Sequence, residues 1–323
     1  VSAVPPLRQQ CAFSLYAFRF TFRAQDPLYF PPAKAGNIVR GAFGTIFRKL
    51  ACVPECTDPR TCPVRASCPY ARMFEPHGEG EGPSGLADRP RPFVFRAAHL
   101  DGCRVSPGET FHFDVHIFDL RDPALAYFIL SFAQLAREGL GPGRGRAELV
   151  RTDQLGEDGT PRALAFDGST LRAGSLLPPI SLSLEPSRRP VHRVRVTFVT
   201  PTELKAGGDL VLKPEFGVLF ARIRDRLSAL SAFYGHGPLE LDFRGLAERA
   251  ARVRLVRSSL RWTETTRRSS KTGQEHPFGG FTGPVEYEGE LGEFLPYLEA
   301  ARWTGVGRQT VWGKGEIAVA VLE

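Results

Sequence analysis

A chain of 323 residues, 42% hydrophobic and 24% charged, has room for one large domain or two medium ones and the composition of a globular protein. No apolar run approaches the ~20 residues of a membrane helix, and no basic segment followed by an apolar one opens the sequence, so the expectation is a cytoplasmic protein without membrane partners. Lys and Arg (42) outnumber Asp and Glu (35), for a net charge of +7 and a pI near 9.3. Arginine dominates that excess, and its planar fork binds phosphate and stacks on bases, so a polyanionic partner such as nucleic acid is favoured, a genome that simply prefers Arg codons being the plainer reading.

In chain order, residues 11–22 (CAFSLYAFRFTF) alternate as a strand does, and 37–51 (NIVRGAFGTIFRKLA) place apolar residues at helical spacing. After a loop-rich insert, residues 110–120 alternate again. Residues 123–139, opening on Pro and closing on Gly, predict a helix. GLGPGRGRAELV (139–150) is a glycine-and-arginine loop running into a strand. Residues 151–189 are turn-rich, and EPSRRP (185–190) is the expected boundary. The order then recurs with a strand at 191–199 and a helix at 214–233. Phe216, Leu219, Phe220, Ile223, Leu227, Leu230 and Phe233 form that helix's apolar face, with Arg222 and Arg226 outside. A strand at 251–262, a helix at 290–301 and a second glycine-rich basic stretch, TGVGRQTVWGKGEIAV (304–319), complete the set. The repeated order predicts an α+β fold of two tandem ferredoxin-like, RRM-like βαββαβ domains. The first spans 1–185 with a Cys-rich insert at about 52–90, and the second spans 190–323.

Each glycine-rich loop precedes the final strand of its domain. A glycine backbone can approach a phosphate closely while a neighbouring cation supplies charge. One such turn is common without a ligand; the same chemistry at both equivalent places points to binding. Arg144 and Arg146 in the first loop, and Gly305, Gly307, Arg308, Gly313, Lys314 and Gly315 in the second, are therefore candidate RNA contacts, together with Arg40 in a Gly-bracketed stretch of the first helix. Four cysteines, Cys52, Cys56, Cys62 and Cys68, fall within the insert, separated by three, five and five residues. Disulfides are disfavoured in the cytosol, so a structural metal is expected there, zinc or an iron–sulfur cluster, with unligated thiols as the alternative.

Taken together, GNIVRGAFG (36–44), CPYARMFEP (68–76), TPTELK (200–205), RRSS (267–270), GGFTG (279–283) and GVGRQTVWGKGE (305–316) resemble, in that order, the CRISPR repeat-processing endoribonucleases of the RAMP superfamily. The resemblance covers nearly the whole chain. It implies two ferredoxin-like domains that grip a CRISPR repeat RNA and cut it without a metal or other catalytic cofactor, through attack of a ribose 2′-OH on its own phosphate. It also adds Arg267 and Arg268 as RNA contacts. Members often retain their product crRNA, and some serve as non-catalytic crRNA-binding subunits beside other CRISPR effector proteins. Family members commonly place a catalytic His near the first helix. This chain has no His between Val1 and Pro76, which favours the non-catalytic alternative.

The chemistry needs a base, an acid and a cation. His276, in a polar segment beside the GGFTG motif, is the first candidate for acid or base. Tyr29 and Lys34, just ahead of the first helix, fall where the family often uses those residue types. His112, Asp114 and His116 share one strand face by the period of two, a solvated sheet face being the plainer reading. His236 reads as a turn residue.

Overall fold

The computed structural model describes residues 11–76, 89–172, 174, 176–264, 266–268, 275–277 and 279–322, with backbone alone at 266–268 and 275–277. The first half runs β1 (Ala12–Ala24), β2 (Leu28–Tyr29), α1 (Ala35–Arg40), α2 (Phe43–Ala51), α3 (Pro69–Phe74), β3 (Phe93–Arg96), β4 (Arg104–Val105), β5 (Thr110–Ile117), α4 (Leu125–Glu138), β6 (Ala147–Leu155), β7 (Pro161–Phe166) and β8 (Ile180–Ser183). The second half runs β9 (Arg193–Thr202), β10 (Leu204–Ala206), β11 (Asp209–Val211), α5 (Phe216–Tyr234), α6 (Phe243–Ala250), β12 (Arg254–Ser258), β13 (Arg261–Thr263), β14 (Thr266–Arg268), β15 (Glu275–Pro277), β16 (Gly280–Glu288), α7 (Leu295–Thr304) and β17 (Ile317–Leu322).

Both main sheets are antiparallel. The first is ordered β3-β5-β1-β6-β7, with β8 on the start of β1; the second is β12-β16-β9-β17, with β13 beside β16. In each, the first and third long strands lie side by side at the centre and the last strand flanks the first, which is the ferredoxin-like arrangement. The period of two decides which residues of β1 meet which core. Phe18, Phe20 and Phe22 face α2 and α4 in the first core, while Phe13, Leu15 and Ala17 turn the other way into the second. The opening strand is thus buried on both faces near its start and joins the two halves.

The sequence read 37–51 as one helix, but Gly41 closes α1 and a second helix starts at Phe43. The helix predicted at 290–301 begins later, at Leu295, with Pro296 in its first turn, where a missing N–H costs nothing. Phe43 of α2 centres the first core. Its ring is 4.5 Å from Phe132 and 5.2 Å from Phe128, and it meets Phe95 edge-on at 5.6 Å.

A polar junction ties the halves at the end of α7. Arg96 of β3 donates from Nη2 to the carbonyls of Arg302 (3.0 Å) and Trp303 (2.9 Å). His116 of β5 shares a 2.8 Å hydrogen bond with the Trp303 carbonyl, and Arg226 of α5 donates to that of Thr304 at 3.0 Å. Donors from three elements satisfy the carbonyls that a helix C-terminus leaves open, and cations suit its negative end. This corrects the reading of Arg226 as an outward residue: it borders the apolar stripe of α5 and meets the end of α7.

Candidate nucleic-acid interface

The terminal loop packs against α1, and the first glycine loop faces the same helix across a cavity. On one flank, a side chain at Gly36 would lie 2.6 Å from the carbonyl of Trp312, so only glycine lets the terminal loop come that close. On the other, the first loop closes through a Leu140–Gly145 bridge and lies over Pro27–Tyr29. Gly139, at φ +104, starts that loop in a conformation side chains avoid. Asp101 caps the segment from outside by accepting from the backbone N–H of Lys34 (3.0 Å) and Ala35 (2.8 Å). Burial pushes its carboxyl above the usual range, against those hydrogen bonds.

Between α1 and the first loop lies a cavity of about 570 Å³. Lys34 and Arg144 stand on its walls, with Asn37 and Ile38 from α1 and Leu140 and Pro142 from the loop. Among the described residues four non-glycines have positive φ, and three of them, Ala33, Arg144 and Gln309, belong to α1's entrance and the two loops. Such backbone costs about 1–3 kcal/mol each and gathers at ligand clamps.

The terminal loop is held more tightly than its glycines suggest. Lys314, expected to meet phosphate, is 1% exposed; its Nζ donates to the Gly279 carbonyl at 2.6 Å and to Gln309 Oε1 at 3.1 Å. Burial pushes its ammonium down to about 8. Arg40 is likewise withdrawn: its guanidinium lies 4.9 Å from the ring of Phe74 and 4.7 Å from that of Trp312, a cation–π sandwich that fastens the terminal loop to the first core. Arg308 does reach solvent, paired with Glu203 at 2.8 Å. Arg308→Ala is therefore expected to flatten the salt dependence of RNA binding by about one in log–log slope, and Lys314→Met to leave it unchanged. Salt titrations of the two variants check both.

The other candidates are dispersed. Arg146 forms an exposed pair with Asp26 at 2.7 Å, and Arg144 donates to the Glu138 carbonyl at 3.1 Å. Tyr29 lies on β2 under the guanidinium of Arg104, 4.5 Å from its ring. Gly305, Gly307, Gly313 and Gly315 all take positive φ in the terminal loop. His276 sits on β15, opposite Arg267 of β14, with Arg268 opposite Glu275. It lies three residues before Gly279, whose carbonyl receives Lys314, just as Lys34 lies two residues before Gly36. His112, Asp114 and His116 do share one face of β5, but for separate uses. His112 stacks on His99 at 4.6 Å, Asp114 binds Arg19 at 2.8 Å, and His116 is buried against Trp303.

The four-cysteine metal site is not supported by the arrangement. Cys52 closes α2 and has Cys68 and Cys56 as neighbours, and Cys56 has Cys62. No group of three or more His, Cys, Asp or Glu among the described residues could hold a metal ion. Burial, followed by the neighbouring thiols, pushes Cys52 up to about 12. Sequence reasoning missed Asn37, Asp101 and Trp312. Asn37 follows Gly36 in the motif quoted above, so its place was visible there; Asp101 and Trp312 act only through tertiary contact.

Two family models match the chain: AF_1859_N, an N-terminal domain, over residues 13–175, and CRISPR-associated endoribonuclease Cas6 over residues 196–317. Over 309 residues the chain is 26% identical to an uncharacterized protein of Archaeoglobus fulgidus, covering 94% of this chain and 98% of that one. Among solved structures, a Thermus thermophilus Cas6 product complex matches with TM-score 0.54 at 18% identity, over 95% of this chain and 99% of that chain. A partial Cas6-RT-Cas1–Cas2 complex matches at 0.53 and 13%, over 96% of this chain and 46% of that one. At those identities the structural likeness is one of fold. No helix among the described residues is long and apolar enough to cross a membrane.

Proposed function

Because the chain belongs to the Cas6 family of CRISPR repeat-processing endoribonucleases, we propose that it binds its repeat RNA across α1 and the two glycine loops and cuts it by metal-independent transesterification. The observation that carries this reading is that the terminal loop packs on α1 at Gly36 while the first loop faces that helix across a cavity walled by Lys34 and Arg144, with Arg308 of the terminal loop reaching solvent. In the step proposed, the ribose 2′-oxygen attacks the adjacent phosphorus and the P–O5′ bond breaks. A base takes the 2′-OH proton and an acid protonates the departing 5′-oxygen. The products are a 2′,3′-cyclic phosphate and a 5′-OH. Cations beside the phosphate offset the charge that builds there. His276 is assigned as acid or base, with Lys34 and Tyr29 as its alternatives. The processed crRNA and other CRISPR effector proteins are the partners this role implies.

A second reading, a non-catalytic crRNA-binding subunit, is favoured by one feature: residues 1–76 contain no histidine. Incubation with native repeat RNA in excess chelator, followed by end-group analysis, separates the two. Cutting that leaves a cyclic phosphate is the expected result. Cutting that chelator stops and added metal restores would overturn the mechanism, and tight binding without cutting would establish the second reading.

A further inference from the structure

We infer that the cavity between α1 and the first glycine loop is a nucleobase pocket, which receives one base of the bound RNA turned out of its stack. The inference rests on the RNA-binding reading above and names which part of the RNA this site takes. Three properties of the cavity carry it. Its volume, about 570 Å³, falls in the range of small-molecule sites, and its walls are Ile38, Leu140 and Pro142, apolar surfaces suited to the face of a base. Its charge is placed as a nucleotide requires, with Lys34 on the helix side and Arg144 on the loop side, where the phosphates flanking an extruded base would pass. The carboxylate on its wall, Glu138, already accepts a hydrogen bond from Gln134 at 3.0 Å.

The third property is Asn37. Asn37 lines the cavity, and its side chain makes no hydrogen bond to any described residue. An amide offers a donor and an acceptor side by side, the pattern that reads a base edge. A pocket for a lipid tail would have no use for it. Single-stranded RNA is recognised in this way, by bases splayed onto apolar walls and read at their edges.

The test scans the repeat RNA with single abasic nucleotides, which keep every phosphate and remove one base at a time. With the wild-type protein, one unpaired position is expected to lose about 5- to 150-fold in affinity, the worth of one stacked base. Asn37→Ala and, independently, Ile38→Trp, which fills the cavity, should each bind native RNA more weakly and become indifferent to that abasic site. An even profile in the wild type, or a sensitive position that stays equally sensitive in both variants, would overturn the pocket while leaving RNA binding intact. Failure of the wild type to hold native repeat RNA at any salt concentration would overturn the RNA-binding reading and the pocket with it.

Discussion

A repeat RNA carrying one 2′-deoxyribose immediately before the scissile phosphate is expected to bind like native RNA and to remain uncut, with or without chelator. The substitution removes the attacking atom and leaves the charge that Lys34, Arg144 and Arg308 would hold. The protein-side counterpart is His276→Ala. A positioned acid or base is worth about 10²–10⁴-fold, so single-turnover rate should fall by that factor while affinity barely moves. If the deoxyribose blocks cutting and His276→Ala does not, the attack is right and the residue is wrong. Lys34, Tyr29 and His112 would then be next; His116, buried under Trp303, would not.

His116 should instead govern acid stability. Burial, and then the Arg96 guanidinium beside it, push its imidazole down to about 4. An imidazole in the unfolded chain titrates near 6.5. Between those values the unfolded chain binds a proton that the folded one refuses. The contribution to stability is therefore complete above about pH 6.5 and is lost as pH falls toward 4. A shift of that size corresponds to roughly 3 kcal/mol. The groups facing the ring are Arg96, Asp114 and the Trp303 carbonyl. His112 is pushed down as well, so the informative quantity is the difference between wild type and His116→Asn, whose amide nitrogen can replace Nδ1 toward Trp303. Denaturant unfolding between pH 4.5 and 7 should show a steeper loss in wild type. Parallel curves would mean that His116 titrates normally.

What could be read from the sequence was what repeats locally. Alternation placed β1 and β5, an opening Pro and a closing Gly placed α4, the 3.6-residue period placed α5, and the glycine loops announced themselves by composition. β3 was missed because all four of its residues are buried, so no alternation marks it. The cations were misread for a related reason. Arg40, Lys314 and Arg226 look like surface residues when each is judged by its neighbours in sequence, yet each is withdrawn by a partner far along the chain: Trp312, Gly279 and Thr304. The site was legible as two loops of one chemistry; that one packs on α1 and the other faces it across a cavity became visible only in three dimensions.

The sandwich of Arg40 between Phe74 and Trp312 bears on how the molecule is made. Val311 and Trp312 pack into the aromatic core of the first half, which otherwise consists of residues synthesised long before them. A nascent chain that has completed only its first half therefore carries an aromatic cluster with one wall missing, and its first core cannot finish closing on its own. Such exposed apolar surface is where chaperones bind and where aggregation begins. The order of assembly is then inverted at this one place: the segment translated late seals the module translated early, and α1 gains its final support only once the terminal loop has been made.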